Sequence, residues 1–239
     1  MQALLKHAVD FILPPRCVVS GDVVDRQGML APHIWQSFRF IGDPQCKSCG
    51  LPFDYDVDGD TICAGCMAYP PRYDAARSAL VYDDASRDVI LRFKHADAPH
   101  AVRAFVPWLQ SAAPNLVEEA DIITAVPLHY RRYISRRYNQ SAILAQGLAQ
   151  ASGSICIPDL LLRTRATPPQ GHLKPKARRD NVKKAFAINK RFAEQIKGKR
   201  ILIMDDVYTT GATVNECAKV LKKAGASCVD VLTVARVVK

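Results

Sequence analysis

No stretch of this 239-residue sequence holds an unbroken apolar run of membrane-spanning length. The nearest approach is Gln2 to Leu13, where Leu4, Leu5, Ala8, Val9 and Ile12 share one helical face. Lys6 and Asp10 interrupt the apolar run, which excludes a signal h-region and a membrane span and predicts an amphipathic docking or core helix. With no export or anchoring signal, the expected compartment is the cytoplasm, without membrane insertion. Internal repeats and low-complexity segments are missing too. So are two common phosphate-binding signatures, Gly-x-x-x-x-Gly-Lys-Ser/Thr and Gly-x-Gly-x-x-Gly, which excludes a P-loop and a dinucleotide-binding turn. What remains is an ordinary globular composition, 49% hydrophobic and 23% charged, long enough for one medium domain and a small one.

The most informative stretch present is Ile201-Leu202-Ile203-Met204-Asp205-Asp206-Val207-Tyr208-Thr209-Thr210-Gly211-Ala212-Thr213. Four apolar residues read as a buried strand with two carboxylates at its C-terminal end. A hydroxyl-rich loop follows, and then Val214, Cys217, Ala218 and Leu221 recur at helical spacing. Backbone N–H groups and the positive end of a helix dipole suit a phosphate. Thr209, Thr210 and Thr213 add hydroxyl donors, and Gly211 lets the backbone approach an anion. Asp205 and Asp206 can accept hydrogen bonds from vicinal ribose hydroxyls, alone or with a divalent metal. Two acids followed by three threonines exceed what helix capping needs. The stretch resembles the loop that binds phosphoribosyl pyrophosphate (PRPP) in type I phosphoribosyltransferases.

Charge is unevenly spread. Residues 131–200 carry 17 Lys and Arg against Asp159, Asp180 and Glu194, a local +14, whereas the whole chain has a net charge of +10. Such concentration points to an anionic partner, either a pyrophosphate-bearing metabolite or a nucleic-acid backbone, with a solvated basic face as the plain alternative.

Four of the eight cysteines stand as Cys46-Lys47-Ser48-Cys49 and Cys63-Ala64-Gly65-Cys66, with 13 residues between the pairs. Each pair offers two thiolates to one tetrahedral ion, and Gly50 permits the tight turn of a zinc knuckle. The expectation is a structural zinc site with no open coordination position, disulfides being the runner-up. Cys156, Cys217 and Cys228 sit in apolar settings and read as buried small hydrophobes.

Along the chain, a small metal-binding module over 1–70 precedes a larger segment over 71–239, joined near Tyr69-Pro70-Pro71-Arg72. Residues 89–94 and 102–109 suggest helices, and Asp121–Val126 a strand running into Pro127-Leu128-His129. Residues 139–151 suggest a further helix, and Val229–Ala235 a final strand after a stop at Gly225. Residues 160–190 show no clear periodicity. Alternating strands and helices predict an α/β fold with a mostly parallel sheet and ligands at the carboxyl ends of its strands.

The order of these motifs is similar to that of the ComF family (the ComFC or GntX group), phosphoribosyltransferase-like proteins associated with competence and DNA uptake. The markers are Leu13-Pro14-Pro15-Arg16-Cys17, the cysteine pairs, Phe93-Lys94, Val126-Pro127-Leu128-His129, Arg136-Arg137-Tyr138-Asn139-Gln140, Thr167-Pro168-Pro169-Gln170, Arg178-Arg179-Asp180-Asn181-Val182, Ala185-Phe186 and the Asp-Asp loop. The resemblance implies a type I phosphoribosyltransferase-like sheet flanked by helices, with a small N-terminal zinc-ribbon module. It places Asp205 and Asp206 against the ribose hydroxyls and Thr209 to Thr213 around the 5′-phosphate, with Val207 and Tyr208 in the same PRPP-binding stretch, while Pro127, Leu128 and His129 cradle pyrophosphate. Arg178 and Arg179, with Gln170 and Asn181, fall where type I enzymes carry a loop over the substrate, whose cations stabilise departing pyrophosphate. Lys94, Arg136, Arg137, Gln140, Lys174 and Lys176 are candidate phosphate or nucleic-acid contacts, and Asn139 a helix cap. Relatives often have a second cysteine quartet; here Ser20 and Ala31-Pro32-His33-Ile34-Trp35 replace its members beside Cys17, so that site reads as degenerate.

Three functions follow from the resemblance. One is binding of PRPP and single-stranded DNA in DNA uptake, with a competence helicase-type protein as a candidate partner. Another is phosphoribosyl transfer, with Mg²⁺, to an unidentified acceptor. The third is a regulatory PRPP sensor.

Overall fold

The apolar runs pair into one parallel sheet in a computed structural model that describes residues 14–94, 101–128, 138–165 and 175–238. The helix expected over 2–13 lies outside the described residues. In chain order the elements are α1 (Pro32–Ser37), α2 (Ala64–Ala68), β1 (Ala76–Val81), α3 (Asp84–Lys94), α4 (Val102–Ala112), α5 (Pro114–Glu118) and β2 (Ile122–Ala125). They continue with α6 (Gln140–Ser152), β3 (Ile155–Cys156), β4 (Leu161–Arg163), α7 (Pro175–Val182), β5 (Phe186–Ile188), β6 (Arg200–Tyr208), α8 (Ala212–Lys223) and β7 (Cys228–Arg236).

The main sheet has the order β1-β7-β6-β2-β3, and every pairing in it is parallel. Both faces are covered, which is why β2 and most of β6 and β7 are apolar runs rather than alternating patterns. Val89, Ile90 and Phe93 of α3, Phe105 and Leu109 of α4, and Leu144 and Leu148 of α6 pack one face. Val214, Cys217, Ala218 and Leu221 of α8 cover the other with Phe186 of β5 and Val182 of α7.

Two segments differ from the sequence expectation. Within residues 160–190, where the sequence shows no periodicity, the described residues form the antiparallel pair β4–β5 and, between them in sequence, α7. Strands of three residues are too short to display a period of two. Strand β6 also continues through both acids to Tyr208, because β7 pairs with it as far as Tyr208↔Arg236.

The cysteine module lies along the free edge of β1. Ile41 donates its amide to the Ala79 carbonyl (2.9 Å), Val81 to Arg39 (2.8 Å) and Ala76 to Ser48 (2.8 Å). The unpaired backbone of an edge strand is thereby satisfied.

Candidate functional site

Adjacent strand ends gather the expected sugar-phosphate residues. Ala125 pairs with Met204, and the Val126 amide donates to the Met204 carbonyl at 3.0 Å, so Pro127 and Leu128 leave β2 beside the Asp205-Asp206 pair of β6. Asp205 Oδ1 accepts the Ser141 hydroxyl (3.0 Å) and the Asp206 amide (2.9 Å), which fixes one carboxylate against the start of α6. Both acids are half-buried, Thr209 is exposed, and Ala212 is buried at the start of α8.

The loop turns at Gly211, whose φ of 70° lies in the left-handed region. A Cβ there would collide with the Tyr208 hydroxyl, so the loop lies against that ring. Tyr208 in turn exchanges a hydroxyl hydrogen bond with Tyr73 at 2.7 Å. The Thr210 hydroxyl is buried without a partner among the described residues. A buried hydroxyl without a partner at a helix N-terminus suits an acceptor brought by a ligand, such as a phosphate oxygen.

The four cysteines converge as the spacing requires, their sulfurs all within 4.8 Å of one another. Cys49 Sγ and Cys63 Sγ are 3.7 Å apart, close to the edge of about 3.8 Å that zinc–sulfur bonds of about 2.3 Å give in a tetrahedron. All eight cysteines are free, and the convergence of four sulfurs on one point favours the zinc site over disulfides. Cys46 Sγ accepts the amides of Cys49 (3.5 Å) and Cys63 (3.3 Å). Burial opposes ionisation of Cys46, but these amides prevail and bring its thiol down to about 7. The donor set fits a structural zinc ion.

The ribbon and the loop share one cleft of about 630 Å³. Cys49, Cys63 and Cys66 form one side, Thr209 to Ala212 the other, and Tyr69 to Tyr73 run between them. Arg179 lines it with its guanidinium 4.9 Å from the Tyr69 ring centroid, while Arg178 on the same helix is half-buried. The Arg72 amide donates to Asn215 Oδ1 of α8, joining the segment 69–73 to the loop side.

Other expected contacts are distributed differently. Gln140 is only 2% exposed at the start of α6. Lys94 ends α3 and Lys176 is the second residue of α7, but neither side chain is described. His129, Arg136, Arg137, Gln170 and Lys174 lie outside the described residues. Asn139 occupies the N-cap position of α6 without a side-chain cap; its Nδ2 donates instead to the Val126 carbonyl at 3.2 Å, tying the helix to the end of β2. Cys217 is fully buried as expected, whereas Cys228 is half-buried and donates to Asp230 Oδ2 at 3.4 Å. Sequence reasoning missed Tyr73 and Arg236. Arg236 is 4% exposed, stands 4.9 Å from the Tyr208 ring centroid and donates to the Cys49 carbonyl. No sequence pattern marks either one, because their partners lie 135 and 187 residues away.

A parallel sheet with an acid pair and a Thr-rich turn at its carboxyl edge defines the phosphoribosyltransferase class of α/β proteins. Residues 102–237 match the phosphoribosyl transferase domain family, and residues 8–67 match the double zinc ribbon domain. The chain is 31% identical over 196 residues to the DNA utilization protein YhgH of Salmonella typhimurium, covering 80% of this chain and 83% of that protein. It is 30% identical over 200 residues to competence protein F of Haemophilus influenzae, covering 81% and 85%. With competence protein ComFC of Streptococcus pneumoniae it shares 27% identity over 202 residues, 84% of each chain. It belongs to the ComF family of phosphoribosyltransferase-like proteins.

Proposed function

We propose that this chain binds Mg²⁺-PRPP at the β6–α8 loop and handles single-stranded DNA in DNA uptake or utilisation. One observation carries the first part: the Asp205-Asp206 pair opens into a glycine-turned loop with a buried hydroxyl, Thr210, awaiting an acceptor. In this reading the amides at the start of α8 and the threonine hydroxyls hold the 5′-phosphate. Asp205 and Asp206 hold the ribose hydroxyls, with Pro127, Leu128 and His129 beside the pyrophosphate. Magnesium would neutralise the pyrophosphate and takes oxygen ligands, which the two carboxylates supply.

Support for DNA comes from the +14 segment over 131–200, from the DNA utilization and competence names of the relatives, and from Tyr69. That ring is 69% exposed beside Arg179, a combination that suits base stacking on a single strand. Phosphoribosyl transfer is a second reading, favoured by the cleft, which leaves room for an acceptor next to the loop. Arg178 and Arg179 would then stabilise the departing pyrophosphate.

Calorimetric titration of Mg²⁺-PRPP into the zinc-loaded protein tests the ribose-phosphate assignment. Saturable binding abolished in Asp206→Ala is the expected result; binding undiminished in that variant would remove the acid pair from the site. Single-strand binding, followed by anisotropy of a labelled oligonucleotide, should weaken linearly in log–log form as salt rises.

A further inference from the structure

We propose that Arg236 is a positioning residue that couples the four-cysteine site to the β6–α8 loop, so that zinc and PRPP each favour binding of the other. The inference rests on the PRPP reading above and adds a regulatory link to it. Its basis is a continuous chain of contacts across the wall of the shared cleft.

Arg236 closes β7 and is buried between the two sites. Its Nη1 donates to the Cys49 carbonyl, and Nη1 and Nη2 lie 3.8 and 3.9 Å from Cys49 Sγ. A zinc ion held by four thiolates carries a net charge of −2, which the guanidinium offsets in part. The other side of the same guanidinium meets the Tyr208 ring at 4.9 Å. Tyr208 is held from beneath by the Tyr73 hydroxyl and supports Gly211, where no side chain could be inserted. A shift of Cys49 therefore reaches the loop through Arg236 and Tyr208, two buried side chains in direct contact along the cleft wall.

The Arg236 Nε is buried without a partner among the described residues, so the side chain has no alternative polar anchor on that side. Loss of the ordered ribbon would remove the Cys49 contacts and leave the cation over Tyr208 uncompensated. The loop beneath would lose the orientation that presents Thr210 and the α8 amides. Lysine cannot replace this link, because a single ammonium cannot lie over the Tyr208 ring and at the same time donate from two nitrogens at Cys49.

Linkage makes the idea measurable from either end, since coupling between two binding equilibria is reciprocal. The direct experiment is a competition titration of zinc against a chromogenic chelator, with and without saturating PRPP and with Mg²⁺ equal in both arms. Wild-type protein should hold zinc at least about fivefold more tightly with PRPP present. Arg236→Lys, still binding one zinc, should show little or no change. Tyr73→Phe, which removes only the hydroxyl under Tyr208, should reduce the effect and keeps the test open if the lysine variant fails to fold. If PRPP binds by calorimetry but leaves zinc affinity unchanged in wild type, the coupling is wrong and the PRPP site stands. If PRPP does not bind the zinc-loaded protein at all, both fall together.

Discussion

Gly211 is the position where the loop has least freedom to change. Its φ of 70° strains any residue with a side chain, and an added Cβ would lie 2.7 Å from Tyr208 Cζ as well as striking the hydroxyl. Gly211→Ala should cost about 2–4 kcal/mol from the left-handed backbone and the overpacking together. The expected result is a lowered melting temperature, retained zinc and lost PRPP binding; an unchanged melting temperature would mean that Tyr208 yields easily. A second residue-scale prediction concerns Asp74. Burial opposes its ionisation, but Lys222 and the Val229 amide hold its carboxyl below the ordinary value. A depressed folded value stabilises the protein above the unfolded carboxylate range, about pH 4, and the contribution disappears as pH falls through the folded value. The side chain is 46% exposed, so Asp74→Asn should cost only about 0.5 kcal/mol at neutral pH. Denaturant titrations at neutral and acid pH should show that difference closing at the acid end. The loop and the cysteine pairs were legible in the sequence because their residues are contiguous or closely spaced. Tyr73 and Arg236 were not, since their roles arise only when β1 and β7 pair and bring distant segments together.

At the scale of elements, helices with a long apolar stripe were readable, including α4, which continues through Pro107. The extent of β6 was not, because two adjacent acids look like a strand end until β7 supplies their backbone partners. The segment containing β4, α7 and β5 escaped because each piece is short and basic residues interrupt it. Packing between α4 and α6 depends on Gly147, where a Cβ would approach Val102 Cγ2 to 2.9 Å and Val106 Cγ2 to 3.1 Å. Gly147→Leu should force these helices apart and cost about 1–3 kcal/mol. Urea unfolding would register this as a lower midpoint, with the slope retained if the denatured state is unaffected. A variant as stable as the parent would show that the contact between the helices adjusts freely.

The whole molecule is arranged so that the cysteine module closes the β1 edge and one side of the cleft. Zinc removal should therefore do more than loosen a peripheral ribbon. With a strong chelator, the loss of Cys46, Cys49, Cys63 and Cys66 as a closed unit should uncover an edge strand and promote association. Light scattering after chelation should rise and amide exchange should increase at Ala76 and Val81, whose N–H groups the module accepts; an unchanged monomer would show that the edge stays covered without metal. Acidification should weaken zinc retention for the same reason, since each ligand must give up a proton to bind. Among the described residues no helix is long and apolar enough to cross a membrane. The α/β architecture and the family were legible from the order of motifs, while the cleft joining ribbon to loop was a product of folding alone. Its importance depends on what binds at β6–α8. The most direct measurement is the crystal structure of the zinc-loaded protein with Mg²⁺-PRPP. The account predicts the 5′-phosphate on the amides at the start of α8 with Thr210 donating to it, and the ribose hydroxyls on Asp205 and Asp206. Density for the ligand elsewhere, with the Asp-Asp loop empty, would contradict it.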